Sequence, residues 1–144
     1  YYETAVTANM KKWSQFAQAA VPNNTPADYI ISDQSIADFL QSSLASWDIY
    51  TNHEQLILEQ KYIATFWVGM EGWNDYRRTG YPELTIGQGT EPNDYILPTR
   101  MGYPNTTTAT NSDHATAALK NMQANANDMK TPLWWSKKAI EVGI

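Results

Sequence analysis

The sequence predicts a mainly α-helical protein in which helical hairpins surround one long buried helix. Two observations carry this prediction: apolar residues recur every three or four positions over much of the chain, and helix start and stop signals bracket the apolar stretch 53–79. The segment 83–111 is the exception, because glycine, proline, threonine and asparagine are dense there. We expect it to be a long irregular excursion with at most two short strands, and we expect residues 1–144 to form a single domain.

The first two helices are predicted to form a hairpin. In the first, over residues 1 to about 20, the apolar side chains share one face at helical spacing: Tyr2, Val6, Met10, Trp13 and Phe16. A turn rich in proline and asparagine follows, and Ser32 or Asp33 is a suitable N-cap for the second helix. The apolar residues of this second helix are Ile36, Phe39, Leu40, Leu44 and Trp47. Two helices joined by a short polar turn are typical of an αα-hairpin.

The long helix is predicted from the signals at its two ends. Asn52 is a suitable N-cap, with Gln55 placed to complete a capping box. Gly80 suits the left-handed position after the last turn, and Pro82 cannot extend a helix. Apolar residues occupy more than one face, including Leu56, Ile63, Phe66, Trp67, Met70 and Trp73. A helix that is apolar on most sides is a buried one, so we expect Trp67 and Trp73 in the core.

Charged residues gather toward the end of this helix. An unpaired buried charge costs several kcal/mol, so we expect these residues to pair with one another or with the following loops. The predicted structural ion network consists of Glu71, Asp75, Arg77, Arg78 and Arg100. Glu71 and Asp75 lie four residues apart, which is also the kind of carboxylate pair that glycoside hydrolysis uses. Their apolar neighbours and the adjacent arginines favour the structural role.

Polar residues next to aromatic ones mark candidate ligand sites. The chain has six tryptophans and nine tyrosines, and only 17% of its residues are charged against about 25% in a typical globular domain. Such a composition suits a large interface or the stacking of aromatic rings on the apolar faces of sugars, with polar neighbours for the hydroxyl groups. The residues predicted to bind ligand are Tyr50, Asn52, Tyr81, Asn93, Asp94 and Tyr95. The excursion that holds several of them includes the two possible strands, near 84–86 and 95–97, and a final helix is predicted near 115–125.

Several classes of function are excluded by composition and spacing. Fifteen carboxylates face ten Lys and Arg, for a net charge of −5, so the clustered positive field of a nucleic-acid-binding protein is absent. With no cysteine and with His53 and His114 lacking partners at ligand spacing, the sequence predicts no metal site and no cofactor. The sequence has no apolar run long enough to be a transmembrane helix.

Three segments resemble the SusD/RagB family, which comprises starch-binding-type outer-membrane lipoproteins of Bacteroidetes. The first joins QKYIA at 60–64 to EGWNDYRRTGYP at 71–82. The second is LPTRMGYP at 97–104 with Asn111 beyond it, and the third is TPLWW at 131–135. Thr107 stands where the family usually has a glutamate between the second motif and Asn111.

The resemblance implies that the chain is the C-terminal portion of a longer protein, lipid-anchored at the cell surface through a cysteine outside these residues. It implies a protein that binds glycan or another nutrient without catalysis, beside a TonB-dependent outer-membrane transporter. Its partners would be an oligosaccharide, that transporter and the missing N-terminal part of the same protein. The alternatives are a carbohydrate-active hydrolase that uses Glu71 and Asp75, and a purely protein-protein interaction module for the transporter.

Overall fold

A computed structural model describes residues 1–85, 96–124 and 126–136. The chain divides into two compact units, Tyr1–Gly72 and Trp73–Ile144. The regular structure of the described residues is helical throughout, so the mainly α class is confirmed. Each of the two predicted strands extends into 86–95, which lies outside the described residues. Within the described ranges no helix is both long enough and apolar enough to cross a membrane.

The first unit is built around its N-terminal helix. Helix α1 spans Tyr2–Ala20 and contacts the short 3₁₀ helix Ala27–Tyr29, α2 (Asp33–Gln41) and α3 (His53–Ala64). The helical hairpin predicted for the start of the chain is therefore present. The apolar side chains buried in this unit are Val6, Ile36, Ala45, Leu56 and Leu58. They come from all three α-helices and from the segment between α2 and α3, which together form the core of the unit.

Two predicted caps define where α2 and α3 begin. The Ser35 amide donates to the Ser32 side chain at 3.1 Å, and the Gln55 amide donates to Asn52 Oδ1 at 3.1 Å. Both N-caps are therefore confirmed. Helix α2 ends at Gln41, short of the predicted Trp47, because the Ser42 hydroxyl donates to the Phe39 carbonyl at 2.6 Å and the Ser42 backbone is extended. Serine side chains that bond nearby backbone in this way compete with helix continuation.

The prediction of one long buried helix is wrong, since the chain forms two helices in its place. Helix α3 ends at Ala64, and α4 spans Glu71–Thr79. Between them the backbone turns left-handed at Trp67, with φ of 72°, and at Gly69, with φ of 47°, which a right-handed helix cannot contain. The Thr65 hydroxyl also donates to the Lys61 carbonyl at 2.9 Å as α3 ends. Trp67 is 85% exposed, so its predicted place in the core is wrong as well.

The second unit holds most of α4, then α5 (Asn105–Thr110) and α6 (Ser112–Asn121), which contact each other. Gly80 has φ of 82° and its amide donates to the Tyr76 carbonyl at 2.8 Å, so the predicted left-handed stop of α4 is confirmed. Helix α5 lies inside the excursion predicted to be irregular. It follows Pro104, and a proline with φ near −60° suits a helix start.

Candidate functional site

A groove in the first unit is the candidate binding site. It lies between the start of α1 and the last turns of α3, with a volume of about 500 Å³. Its walls include the rings of Tyr1, Tyr2 and Trp47, and its polar lining residues are Asn9, Gln60 and Lys61. Aliphatic side chains of both helices complete it. A concave, mostly apolar wall with a few polar groups is typical of small-molecule sites.

The groove's aromatic wall is held in place by contacts behind it. The Tyr2 hydroxyl donates to the carbonyl of the fully buried Ala45 at 3.0 Å, and the Tyr2 and Trp47 ring centroids are 5.4 Å apart. The His53 ring stacks on Trp47 at 3.8 Å, with 15° between the planes. His53 Nε2 lies 3.0 Å from the Trp47 carbonyl oxygen, so this nitrogen carries a proton and donates it. Trp47 therefore contacts two other rings and also lines the groove.

Glu59 organises the polar side of this region. It accepts hydrogen bonds from the Tyr50 hydroxyl at 3.2 Å and from the side-chain amide of Gln55 at 2.8 Å. Burial, and after it the charge of Glu59, raises the pKa of Tyr2, while the Glu59 charge raises the pKa of Tyr50. Both phenols thus remain protonated donors at neutral pH, and neither is a nucleophile or a base.

The residues predicted to bind ligand are placed apart. Tyr50 donates to Glu59, and Asn52 caps α3, so both have positions within the first unit's own scaffold. Tyr81 is in the second unit, where its amide donates to the Thr79 hydroxyl at 3.1 Å. The other three, Asn93, Asp94 and Tyr95, lie outside the described residues. The groove itself was missed by sequence reasoning, although the adjacent Tyr1 and Tyr2 were a visible signal.

In the second unit the buried Arg77 is the centre of an aromatic and polar cluster. Its guanidinium carbon lies 3.6 Å from the centroid of the Trp73 ring and 4.8 Å from that of Trp135. The guanidinium donates to the Thr99 carbonyl at 3.1 Å and to Asn74 Oδ1 at 2.6 Å. Burial lowers the Arg77 pKa, but a guanidinium at neutral pH stays charged. The rings supply the favourable interaction that a carboxylate would otherwise provide.

The segment 98–100 is held between α4 and residues 128–131. The Trp73 indole donates to the Pro98 carbonyl at 2.6 Å, and the Thr99 hydroxyl donates to the Thr131 carbonyl at 2.9 Å. Arg100 donates to the Asp128 carbonyl. Helix α4, residues 98–100 and residues 128–131 are thereby joined by hydrogen bonds that side chains donate to backbone carbonyls.

The five residues of the predicted ion network occur in separate arrangements. Glu71 pairs with Lys61 at 3.7 Å, and Arg78 pairs with Asp75 at 3.1 Å. Arg77 and Arg100 donate to backbone carbonyls and lie over aromatic rings, Arg100 over Tyr103 at 5.3 Å. The Asp75 side chain is only 10% exposed, whereas that of Glu71 is 51% exposed. A buried, arginine-paired carboxylate is poorly placed to act on a sugar.

Comparisons with known proteins identify the class and then the family. The described residues form a helical fold, and the first unit carries a groove with aromatic walls. The sequence profile of a SusD-like family, described as starch-binding and associating with the outer membrane, matches residues 1–104. The chain belongs to this SusD-like family, and the resemblance noted from the motifs is confirmed. No curated protein sequence matches the chain.

Two solved structures are similar to this fold. A SusD homologue from Bacteroides fragilis aligns with a TM-score of 0.71 and 24% identity, over 94% of this chain and 28% of that one. A chitin-binding protein aligns with a TM-score of 0.65 and 27% identity, over 94% of this chain and 27% of that one. The chain thus spans little more than a quarter of the length of these solved relatives.

Proposed function

We propose that the whole protein binds glycan at the outer surface of the outer membrane and passes it to a TonB-dependent transporter. The match of residues 1–104 to a family described as starch-binding and associating with the outer membrane is the observation that carries the proposal. The proposed partners are an oligosaccharide, the transporter and an N-terminal part of the same protein. The proposed anchor is a lipidated cysteine outside these residues.

The groove in the first unit is the proposed glycan-contacting surface of this chain. Tyr1 offers a ring face on which the C–H face of a sugar can stack, and Gln60 and Asn9 offer amides for its hydroxyl groups. The volume of about 500 Å³ is sufficient for a short oligosaccharide segment. The chitin-binding relative supports glycan as the ligand class, without indicating which glycan this protein prefers.

We infer that binding proceeds without bond cleavage. A glycosidase needs two carboxyl groups flanking an open site, one as acid and one as nucleophile or base. Of the two candidate carboxylates, Asp75 is buried and bonded to Arg78. Incubating the whole protein with oligosaccharides should release no reducing ends. Release that disappears in Glu71→Gln would contradict this inference.

The binding proposal is tested by calorimetric titration of the whole protein with starch-derived and chitin-derived oligosaccharides. We expect one of these classes to bind, and Tyr1→Ala to weaken that binding about tenfold through loss of a stacking surface. Tyr1→Phe keeps the ring and should bind as the wild type does. Thermal denaturation of both variants checks that neither change alters the stability of the whole protein.

The polar lining residues provide a second, matched comparison. Gln60→Ala should weaken binding severalfold, since one hydrogen bond contributes about 1 kcal/mol. Gln18→Ala removes the same side chain from an exposed position on α1 away from the groove and should leave affinity unchanged. Wild-type affinity in both Tyr1→Ala and Gln60→Ala would exclude the groove as the site, and no binding of either class would contradict the proposed function.

A further inference from the structure

The segment 62–70, where α3 ends and α4 has not yet begun, is an exposed apolar surface that the glycan proposal does not use. Trp67 is 85% exposed, and five neighbours are between 40% and 57% exposed: Tyr62, Ile63, Phe66, Val68 and Met70. Contiguous exposed apolar surface of this kind usually marks an interaction site. We call these six side chains the apolar elbow.

The backbone of the apolar elbow is strained at its most exposed residue. Trp67 has φ of 72°, and for a bulky residue the left-handed region is a genuine outlier that carries backbone strain. The turn is defined by hydrogen bonds from the Val68 amide to the Thr65 carbonyl at 2.8 Å and from the Glu71 amide to the Val68 carbonyl at 3.2 Å. Among the described residues the Trp67 indole meets the Phe66 ring edge-on at 5.0 Å between centroids, and Trp67 is 85% exposed. The described part of the chain therefore provides little packing to offset the strain.

The chemistry of the apolar elbow distinguishes among kinds of partner. Residues 62–70 include no charged and no amide side chain, so sugar hydroxyl groups would find few hydrogen-bonding partners there. Lys61 and Glu71 flank the segment and form an ion pair with each other at 3.7 Å. An apolar centre with a paired polar rim is the usual anatomy of an interface between polypeptide surfaces. A membrane surface is disfavoured by the net charge of −5 and by the pairing of the nearby lysine.

We propose that the apolar elbow is covered by a polypeptide surface of the same protein that lies outside these 144 residues, with an aliphatic or aromatic pocket that receives Trp67. The solved relatives that align with 94% of this chain have nearly three-quarters of their own length outside the alignment. A covering surface within the same chain requires no second molecule, and burial of the indole would offset the strain at its backbone. This inference is independent of which ligand the groove binds.

Whether Trp67→Gly lowers or raises the melting temperature of the whole protein tests the proposal. Trp67→Gly in the whole protein, produced without its lipid anchor, relieves the left-handed strain and removes the indole. If Trp67 is covered, we expect the melting temperature to fall by at least about 5 °C, because a large buried side chain is lost. If Trp67 is exposed in the whole protein, relief of strain should raise the melting temperature, and that result would overturn the proposal.

Two further variants show whether a lower melting temperature in Trp67→Gly comes from the loss of a covered indole. Trp67→Asn also suits a left-handed backbone and should show the same fall, whereas Trp134→Gly removes an indole that is 89% exposed and has no positive φ. We expect the Trp134 variant to change the melting temperature by no more than about 2 °C. A fall at Trp67 no larger than that at Trp134 would also count against the proposal.

Chemical labelling identifies what covers the apolar elbow. Hydroxyl-radical footprinting of the monomeric whole protein should label Trp67 and Phe66 at least about tenfold more slowly than in the urea-unfolded protein. Labelling at the unfolded rate would contradict the proposal. Protection that appears only at high protein concentration, only with lipid vesicles or only with oligosaccharide would assign the surface to a second copy, a membrane or a glycan, and each of these results would overturn it.

Discussion

The two units of the chain bury different chemistry. Among the described residues, the buried side chains of the first unit are mainly apolar, and most of the large exposed apolar residues also belong to it. In the second unit Tyr76 and Ala115 are the buried apolar residues of the described part, and the buried polar ones are Asp75, Arg77, Thr79, Thr99, Arg100, Thr131 and Ser136. The first unit is thus stabilised by a small apolar core, and the second by hydrogen bonds between side chains and backbone.

This difference teaches where each unit is vulnerable. Apolar burial is non-directional, so a truncated apolar side chain in the first unit costs the buried area that is lost and the cavity that remains, but leaves no polar group unpaired. A buried polar group costs more to leave unpaired than its hydrogen bond contributed, so one lost partner in the second unit exposes the full desolvation penalty. The second unit should therefore respond more steeply to the loss of a polar partner and to acid.

The largest expected effect is at Arg77. Arg77→Ala leaves the buried Thr99 carbonyl without its donor and opens a gap between the Trp73 and Trp135 rings. We expect a loss of about 3–5 kcal/mol in the free energy of unfolding, measured by urea denaturation of the whole protein. Arg77→Lys should recover less than half of this, because an ammonium lacks the planar stacking surface.

The neighbouring arginine is the matched control for this prediction. The Arg78 side chain is 57% exposed and bonds Asp75 at 3.1 Å. Arg78→Ala should cost about 1–2 kcal/mol, less than Arg77→Ala, because solvent reaches this arginine although the buried Asp75 carboxylate loses one partner. Equal losses at the two positions would mean that charge, and not the aromatic and carbonyl contacts, stabilises the cluster.

The contrast also explains what the sequence could predict. Helix starts at Ser32 and Asn52 and the stop at Gly80 depend on groups within a few residues, so local signals predicted them. The break between α3 and α4 was missed because the apolar spacing continues across 65–70. Gly69 was the local cue, but a single glycine inside a helical pattern is often tolerated.

The sites were harder to predict because they depend on residues far apart in the chain. Arg77 was expected to pair with carboxylates or with the following loops, and it does donate to the Thr99 carbonyl, but its contacts with the Trp73 and Trp135 rings were not predicted. The groove likewise requires Trp47 to contact Tyr2, which lies at the start of α1 and 45 residues earlier in the chain. No spacing rule connects such pairs, since the fold as a whole brings them together.

Asp128 should make the stability of the second unit depend on pH in the acid range. Its carboxylate accepts from the Thr131 amide at 2.9 Å and the Lys130 amide at 3.1 Å. Burial alone would raise the pKa of Asp128, but the bonds from Thr131 and Lys130 and the charge of Arg100 outweigh burial and lower it. A carboxyl group with a lowered folded-state pKa contributes stability above its ordinary pKa of 3.8, and this contribution is lost as the pH falls through the folded-state value.

Asp128→Asn should therefore destabilise the protein by about 1–2 kcal/mol near neutral pH. The difference between the variant and the wild type should shrink at pH values below 3.8, because the wild-type carboxyl group also becomes protonated there. Urea denaturation across this range measures the difference. Asp113→Asn, at an exposed position in the first turn of α6, should cost no more than about 0.5 kcal/mol near neutral pH. A cost at Asp128 that does not change with pH would show that shape, not charge, matters there.

The smallest expected effect is in the first unit, at the start of α3. Asn52→Ala removes the acceptor for the Gln55 amide and should cost about 1 kcal/mol, while Asn52→Asp keeps an acceptor and should cost little. Because the Trp47 and His53 stack adjoins this cap, fraying of the first turn would also loosen the groove wall. Hydrogen exchange of the first-turn amides should rise in Asn52→Ala, whereas amides of the second unit should be unaffected. Faster exchange throughout the second unit would mean that the two units unfold together and that their different cores do not make them independently stable.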